Sequence, residues 1–228
     1  NCLLVRRDGH ESAIEDTASP IHDFRGQVTG AVLVFRDVGV AYAMSQRMSY
    51  MAQHDTLTGL PNRLLLRDRL DRAMAAALRH GHSVAVLFMD LDGFKSVNDT
   101  LGHAAGDLVL QSVARRLAAG VRSSDTVSRE GGDEFVVLLS EVARAEDAAL
   151  SASKLLAAVA LPHHIGAQDL RVTASVGIAL FPADGEDAAL LLRKADRALL
   201  HAKARARGRA VTFRPALEQD SPRKQAAA

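Results

Sequence analysis

The chain has 228 residues, 48% of them hydrophobic and 24% charged, with a formal net charge of +1. This is ordinary globular composition, which argues against disorder or a fibre and leaves room for one full domain plus a smaller piece. So small a charge supplies no global field to attract duplex nucleic acid or an anionic membrane, so DNA and RNA are not expected partners and any phosphate recognition must be local.

The first 38 residues read as short strands separated by turns, with Asp8-Gly9 and Arg25-Gly26 as turn signals and "VTGAVLVF" as a closing strand. Their apolar surface is too small to stand alone. From residue 39 to 53 the β-forming signals thin out, and Ala41, Met44, Met48 and Met51 fall at spacings of three, four and three. Such a stripe serves equally as one face of an amphipathic helix or as a dimerising coiled coil about two heptads long. After "DTLTGLPNR" the elements lengthen. Residues 63 to 79 read as a helix with Leu66, Leu70, Ala73 and Ala77 on one face, and "SVAVLFMD" as a strand buried on both sides. A polar loop, "LDGFKSVNDTLGHAAGD", leads to a second helix carrying Leu110, Val113, Ala114, Leu117 and Val121 inward, and then to a hairpin around Gly131-Gly132. A helix over 145 to 160 follows. In "LRVTASVGIALF" the residues Leu170, Val172, Ala174, Val176, Ile178 and Leu180 alternate along one strand face, and a last helix over 187 to 206 sets Leu191, Ala195, Ala198 and Ala202 inward. Strands and helices interleave, but a tight hairpin joins two strands. The expected class is therefore α+β, a mixed and mostly antiparallel sheet flanked by helices.

Two acidic points carry the chemistry. Asp90 ends a buried strand, and the hairpin "EGGDEF" presents Asp133 and Glu134 at its tip. Carboxylates at the ends of neighbouring strands suit a hard divalent cation, which takes oxygen ligands and keeps waters or substrate phosphates in its other positions. A charged turn of Asp and Gly is the plainer alternative for these residues in isolation. His80, His82, His163 and His164 stand in apparent loops without a carboxylate at ligand spacing and read as surface residues.

The joint pattern decides between these. "REGGDEF" resembles the signature of the GGDEF family of diguanylate cyclases, and "DTLTGLPNR", "DLDGFKSVNDTLGHAAGD", "SVGIALFPADG" and "ADRALLHAK" resemble that family's other blocks, in its order. The resemblance implies a catalytic domain over residues 54–214 that condenses two GTP to cyclic di-GMP with release of two pyrophosphates, the product forming between two domains of a homodimer. It implies Mg²⁺ or Mn²⁺ held by Asp90, the Leu91 carbonyl and Asp133, with Glu134 beside them and Asp133 as proton acceptor. Phe94 and Lys95 match positions that meet the phosphates, Asn98 and Asp107 the guanine readers, and His103 a further substrate contact. Guanine offers a carboxylate both N1–H and the 2-amino group, whereas adenine offers neither there. Lys203 and Arg207, four apart on a continuing helix, would present two cations to the phosphates, with Arg209 as the alternative to Arg207. Arg122 and Asp125 of "RSSD", nine and six residues before Gly131, match the family's product-inhibition site.

Departures from the family pattern gather at the C-terminal end. Leu200 stands where a tyrosine is usual and Ala210 where an asparagine is, two extra residues separate Lys203 from Gly208, and Glu130 puts a charge before the double glycine. They keep open a second reading, a module that binds GTP or cyclic di-GMP without turnover. Residues 1–38 resemble the C-terminal part of a PAS sensory domain, which would make 39–53 a connecting signalling helix, and 215–228 reads as a tail or linker. A single cysteine, Cys2, fits a reducing compartment, so a cytoplasmic location is expected. No membrane segment is expected, since no run reaches the roughly 18 apolar residues of a span. The start on Asn1 reads as a piece of a longer protein.

Overall fold

The computed structural model describes residues 2–5, 7–9, 11–166 and 168–219. It divides into two units, residues 1–52 and 53–228. In the first, β1 (Cys2–Val5), β2 (Glu11–His22) and β3 (Val28–Asp37) form an antiparallel sheet in that order, followed by α1 (Gly39–Gln53). The turn between β2 and β3 is closed by Asp23, whose carboxylate accepts from the amides of Arg25 and Gln27 at 2.8 and 2.9 Å, the local bonding that favours Asp in turns. Among the described residues of this unit only Ile14 is buried. Met44, Met48 and Met51 of the α1 stripe are exposed.

The second unit contains α2 (Arg63–His80), β4 (Ser83–Asp92), α3 (Phe94–Leu101), α4 (His103–Ala119), β5 (Thr126–Gly131), β6 (Glu134–Val142), α5 (Ala145–Ala160), β7 (His163–Ile165), β8 (Gln168–Leu170), β9 (Thr173–Phe181), α6 (Ala188–Arg205), β10 (Ala210–Thr212) and α7 (Ala216–Gln219). Five strands make one sheet in the order β10-β9-β4-β6-β5, antiparallel throughout except for the parallel pair β9/β10. The class is α+β with a mixed, mostly antiparallel sheet. β4 lies at its centre, which explains its unbroken apolar run. Alternate residues Ala85, Leu87, Met89 and Leu91 join a core with α4 and α5, while Val84, Val86 and Phe88 join one with α2 and α6. The alternation along β9 is resolved the same way. Ala174, Val176, Ile178 and Leu180 face the first core, as does Val172 just before the strand, while Leu170, expected on the same strand, belongs to β8. Small residues on the opposite face of β9, Ser175, Gly177 and Ala179, admit α6 closely.

The helices start and stop where local chemistry directs. Asn62 caps α2 by accepting from the amides of Leu64 and Leu65, and Gly81 ends it at φ 70°. Asp187 caps α6 by accepting from Leu190 N at 2.7 Å. Three expectations are corrected. The segment after Asp92 is not a loop but the helix α3, opened by Gly93 at φ 71°. α6 ends at Arg205, so Arg207 lies beyond it and not on a continuing helix. His163 is buried, with Nδ1 2.8 Å from Ser112 Oγ and Nε2 2.9 Å from the Val159 carbonyl. It fills a gap between α4 and the end of α5, where Arg116 also donates to the carbonyl of Leu161 at 2.6 Å. The tail expected over 215–228 begins with α7, and its residues from 220 onward lie outside the described ones.

Candidate active site

The site gathers at one end of the sheet, on the face covered by α2 and α6. β4 and β6 run antiparallel with Asp90 opposite Glu134, their last register pair. Beyond it the chain turns through Gly131 and Gly132, both at positive φ, which a residue with a side chain would adopt only under strain. The turn brings Asp133 back over β4, where its carbonyl accepts from Leu91 N at 3.3 Å. The N–H and C=O of a strand residue point to the same edge, so the Leu91 carbonyl faces the turn as well. Asp90, Asp133, Glu134 and the Leu91 carbonyl are thus brought together.

Their electrostatics are those of crowded carboxylates. Burial pushes the Asp90 carboxyl above its usual range, Lys203 opposes the rise, and Asp133 and Asp92 add to it. Glu134 stands at the surface, yet partial loss of hydration raises its carboxyl too, reinforced by Asp90, Asp196 and Asp133 and opposed by Lys203. Lys203 of α6 brings a cation into this group, its Nζ 2.6 Å from Asp90 Oδ1. α6 reaches that far in because β9 carries Gly177, where a Cβ would fall 2.0 Å from the Ala195 carbonyl oxygen.

Residues that sequence reasoning left without a role support this frame. Arg129 donates through one terminal nitrogen to both Asp55 oxygens at 3.0 Å, and through Nε and its other nitrogen to the Gly132 carbonyl at 3.0 and 2.7 Å. Burial alone would raise the Asp55 carboxyl, but hydrogen bonds from Thr58 and Arg129 and the arginine's charge hold it below the ordinary range. "DTLTGLPNR" is thereby tied to the hairpin turn, a contact signalled only by an Asp and an Arg in two separate blocks. Asp92, the second carboxylate of "DLD", accepts from Thr173 Oγ1 and Ser175 Oγ, both at 2.8 Å. Glu130 sits at a bulge between Arg129 and Gly131. Its side chain is only 10% exposed, its Oε1 has no hydrogen-bond partner, and Arg63 Nε is 3.7 Å from Oε2. Burial raises this carboxyl, Arg63 and Arg67 oppose, and Glu134 adds to the rise.

The expected nucleotide residues lie on α3 and α4, next to the end of β4. Phe94 is buried and Lys95 exposed at the start of α3. Asn98 packs where a Cβ at Gly106 would meet its Oδ1 at 1.9 Å, so the missing side chain at 106 brings Asn98 against the first turn of α4, beside Asp107. Asp107 and His103 are exposed on that turn. Arg207 is exposed in the segment after α6, whereas Arg209 lines a groove with Ala149, Ser153 and Leu156 of α5, on the other face of the sheet. Arg122 and Asp125 stand apart, in the turn after α4. There the Asp125 carboxylate accepts from Arg122 N and Ser140 N, both at 3.1 Å, and both residues line a groove of about 540 Å³ with Leu139, Glu141 and Lys154.

Among the described residues no three His, Cys, Asp or Glu side chains converge closely enough to cage an ion alone. An open site of two or three carboxylates and a carbonyl still fits Mg²⁺, which retains waters and binds through one or two carboxylates plus substrate phosphates. A lysine ammonium on Asp90 shows that the cluster takes up positive charge.

The family model for the diguanylate cyclase GGDEF domain matches residues 52–209. The chain belongs to the GGDEF family. This GGDEF chain is 50% identical over 159 residues to the bifunctional diguanylate cyclase/cyclic di-GMP phosphodiesterase MucR of Pseudomonas aeruginosa, covering 70% of the present chain and 23% of MucR. It is 44% identical over 162 residues to the diguanylate cyclase TpbB of the same species, covering 71% of the chain and 37% of TpbB. The chain thus spans well under half of the curated relatives it matches. Among solved structures, the GGDEF domain of TpbB superposes with a TM-score of 0.71 at 42% identity, covering 73% of this chain and 97% of that one. The coiled coil and GGDEF domain of DgcB from Caulobacter crescentus, in complex with c-di-GMP, gives 0.70 at 28% identity, covering 77% and 93%. Among the described residues no helix is long and apolar enough to cross a membrane.

Proposed function

We propose that this chain is the catalytic part of a diguanylate cyclase: two GTP condense to cyclic di-GMP and two pyrophosphates, each 3′-oxygen attacking the other nucleotide's α-phosphorus as the bond to pyrophosphate breaks. The observation that carries the reading is Asp90 paired with Glu134 under the Asp133 turn, beside an α3–α4 junction that sets Asn98 against Gly106 next to Asp107. Asp90, the Leu91 carbonyl and Asp133, with Glu134 alongside, would hold Mg²⁺ or Mn²⁺. Bound there, the ion neutralises triphosphate charge and favours a 3′-alkoxide. Asp133 takes the 3′-proton. Asn98 and Asp107 read guanine, His103 adds a contact on the same turn, and Phe94 and Lys95 order the phosphates. Lys203, released from Asp90 when another cation arrives, joins Arg207 at the triphosphate; the placement of Arg209 in the α5 groove favours Arg207 for this task.

Each domain holds one GTP, so the active form is a homodimer. Arg122 and Asp125 form the site where cyclic di-GMP slows the reaction, since Arg can fork onto guanine O6 and N7 and a carboxylate accepts from N1–H. The Asp125 oxygens have lone pairs left beyond the two amides they accept from. Residues 1–38 are a PAS-like sensory piece and 39–53 the helix that connects it. The test is to incubate the chain with GTP and Mg²⁺ and separate the products: cyclic di-GMP and pyrophosphate are expected. Asp133→Asn should abolish both, and Arg122→Ala should remove the slowing by added product. Unchanged turnover in Asp133→Asn would overturn the catalytic assignment.

A second reading, binding of GTP or cyclic di-GMP without turnover, is favoured by one observation. Relatives named cyclic di-GMP phosphodiesterase, PdeR of Escherichia coli and NbdA of Pseudomonas aeruginosa, match at 38% and 39% identity. The same incubation distinguishes it, through retained GTP and no pyrophosphate.

A further inference from the structure

The run that follows α6 is fastened to the sheet by the side chain of Asp92 together with bonds from β9. Asp92 ends β4. Its Oδ1 accepts from Ser175 Oγ at 2.8 Å, and its Oδ2 accepts from Thr173 Oγ1 at 2.8 Å and from the Gly208 amide at 3.0 Å. That amide also lies 3.2 Å from Ser175 Oγ, and the Val176 amide donates to the Arg209 carbonyl at 2.9 Å. Gly208 has φ 75°, the left-handed region that lets the chain turn from the end of α6 at Arg205 toward β10 at Ala210. The four residues between carry Arg207 and Arg209, two of the longest and most mobile side chains, on a segment with no helix or strand to order it.

We infer that Asp92 is a positioning residue. It fixes the backbone at Gly208 so that the preceding residue, Arg207, presents its guanidinium to the triphosphate beside Lys203, and it touches neither nucleotide nor metal. Three protein donors already engage its two oxygens, and two of them are hydroxyls of β9, the strand paired with this end of β4. A carboxylate so engaged has its charge directed at the protein and is poorly placed to serve as a ligand. The clamp also gives a physical role to Gly208 in a segment two residues longer than the family pattern. Extra length adds freedom to the arginine, and a charge-assisted bond to the backbone next to it removes that freedom. The inference rests on the GTP reading of the site.

The test uses the full chain and guanosine 5′-(α,β-methylene)triphosphate with Mg²⁺, whose carbon bridge prevents loss of pyrophosphate, titrated by calorimetry. Asp92→Ala and Arg207→Ala should each weaken binding about tenfold, the scale of one charge-assisted contact, and the double variant no more than either alone. GMP, which lacks the outer phosphates, should bind all variants alike. Amide exchange at Gly208 should be slow in the wild type and in Asp92→Asn, which keeps one acceptor, and fast in Asp92→Ala. If Asp92→Ala fails to fold, Thr173→Val, which removes one of the donors that hold the Asp92 carboxylate in place, carries the same cycle with Arg207→Ala. Additive losses in the double variant, equal losses for GMP, or wild-type affinity in Asp92→Ala would overturn the inference while leaving the GTP reading intact. A wild type that does not bind the analogue would overturn both.

Discussion

Glu130 illustrates how a single residue can be tolerated at a cost. Its raised carboxyl means that the folded state holds the proton more tightly than the unfolded chain does. The group therefore weighs on stability little below its unfolded pKa near 4.5, and increasingly as pH rises through the folded value. Glu130→Gln removes the charge and should raise stability by about 1 kcal/mol at pH 7.5 and by nothing near pH 4.5; urea midpoints at the two values measure it, and an equal gain at both would refute the cause given. His163 works in the opposite direction. Burial lowers its pKa, helped by Arg116 and His164 and opposed by the bond to the Val159 carbonyl, so stability is full above the unfolded value of about 6.5 and falls as pH drops below it. The loss in urea midpoint between pH 7 and 5.5 should be smaller in His163→Gln than in the wild type. Neither property was readable in sequence. A histidine beside a proline and a second histidine looks like a loop residue, and only the packing of α4 against the end of α5 buries it. That Asp90, Asp133 and Glu134 meet at one strand end was readable, because the first ends an apolar run and the other two sit on a double-glycine turn that opens another. The roles of Asp92 and Arg129 were not, because their partners stand 81 to 116 and 74 residues away along the chain.

At the scale of elements, periodicity located the long helices to within a residue or two: α2 and α5 begin and end almost where their apolar stripes do. It missed α3, eight residues rich in Asn, Asp, Ser and Thr, types that favour turns in isolation. A buried Phe94 and the docking of Asn98 on Gly106 hold that helix in place. The contact of α6 with β9 is the one on which Lys203 depends. At Gly177 a Cβ would lie 2.0 Å from the Ala195 oxygen and 2.2 Å from the Leu199 nitrogen, both helix backbone that cannot swing aside. Gly177→Ala should destabilise the domain by about 3 kcal/mol and, where it still folds, shift Lys203 off Asp90. A denaturation midpoint equal to that of the wild type would show that α6 can back away freely.

For the whole molecule, the first unit buries only Ile14 among its described residues, while Leu3, Val5, Val32 and Val34 are exposed. The low apolar content read from sequence and this thin core are the same fact. The α1 stripe is exposed too, and with one GTP per domain the proposed reaction requires two chains to meet. Activity per chain should rise with protein concentration, and should do so less steeply when a strong coiled coil replaces residues 38–54. Specific activity unchanged on dilution to the monomer would exclude a reaction between domains.

The central place of β4 also sets an order of events in time. Chains are made from the N-terminus, and domains fold as their parts emerge. β4 leaves the ribosome before β6 and β9, the two strands that flank it, and the Gly208 amide, the last donor to Asp92, follows 116 residues behind its acceptor. A partly made chain thus carries the carboxylates of the strand end before it has the hairpin, the ammonium of Lys203 or the clamp that arrange them. The bonds that arrange this strand end are therefore complete only once the chain has been made as far as Gly208, and a chain cut short before that point lacks part of the frame.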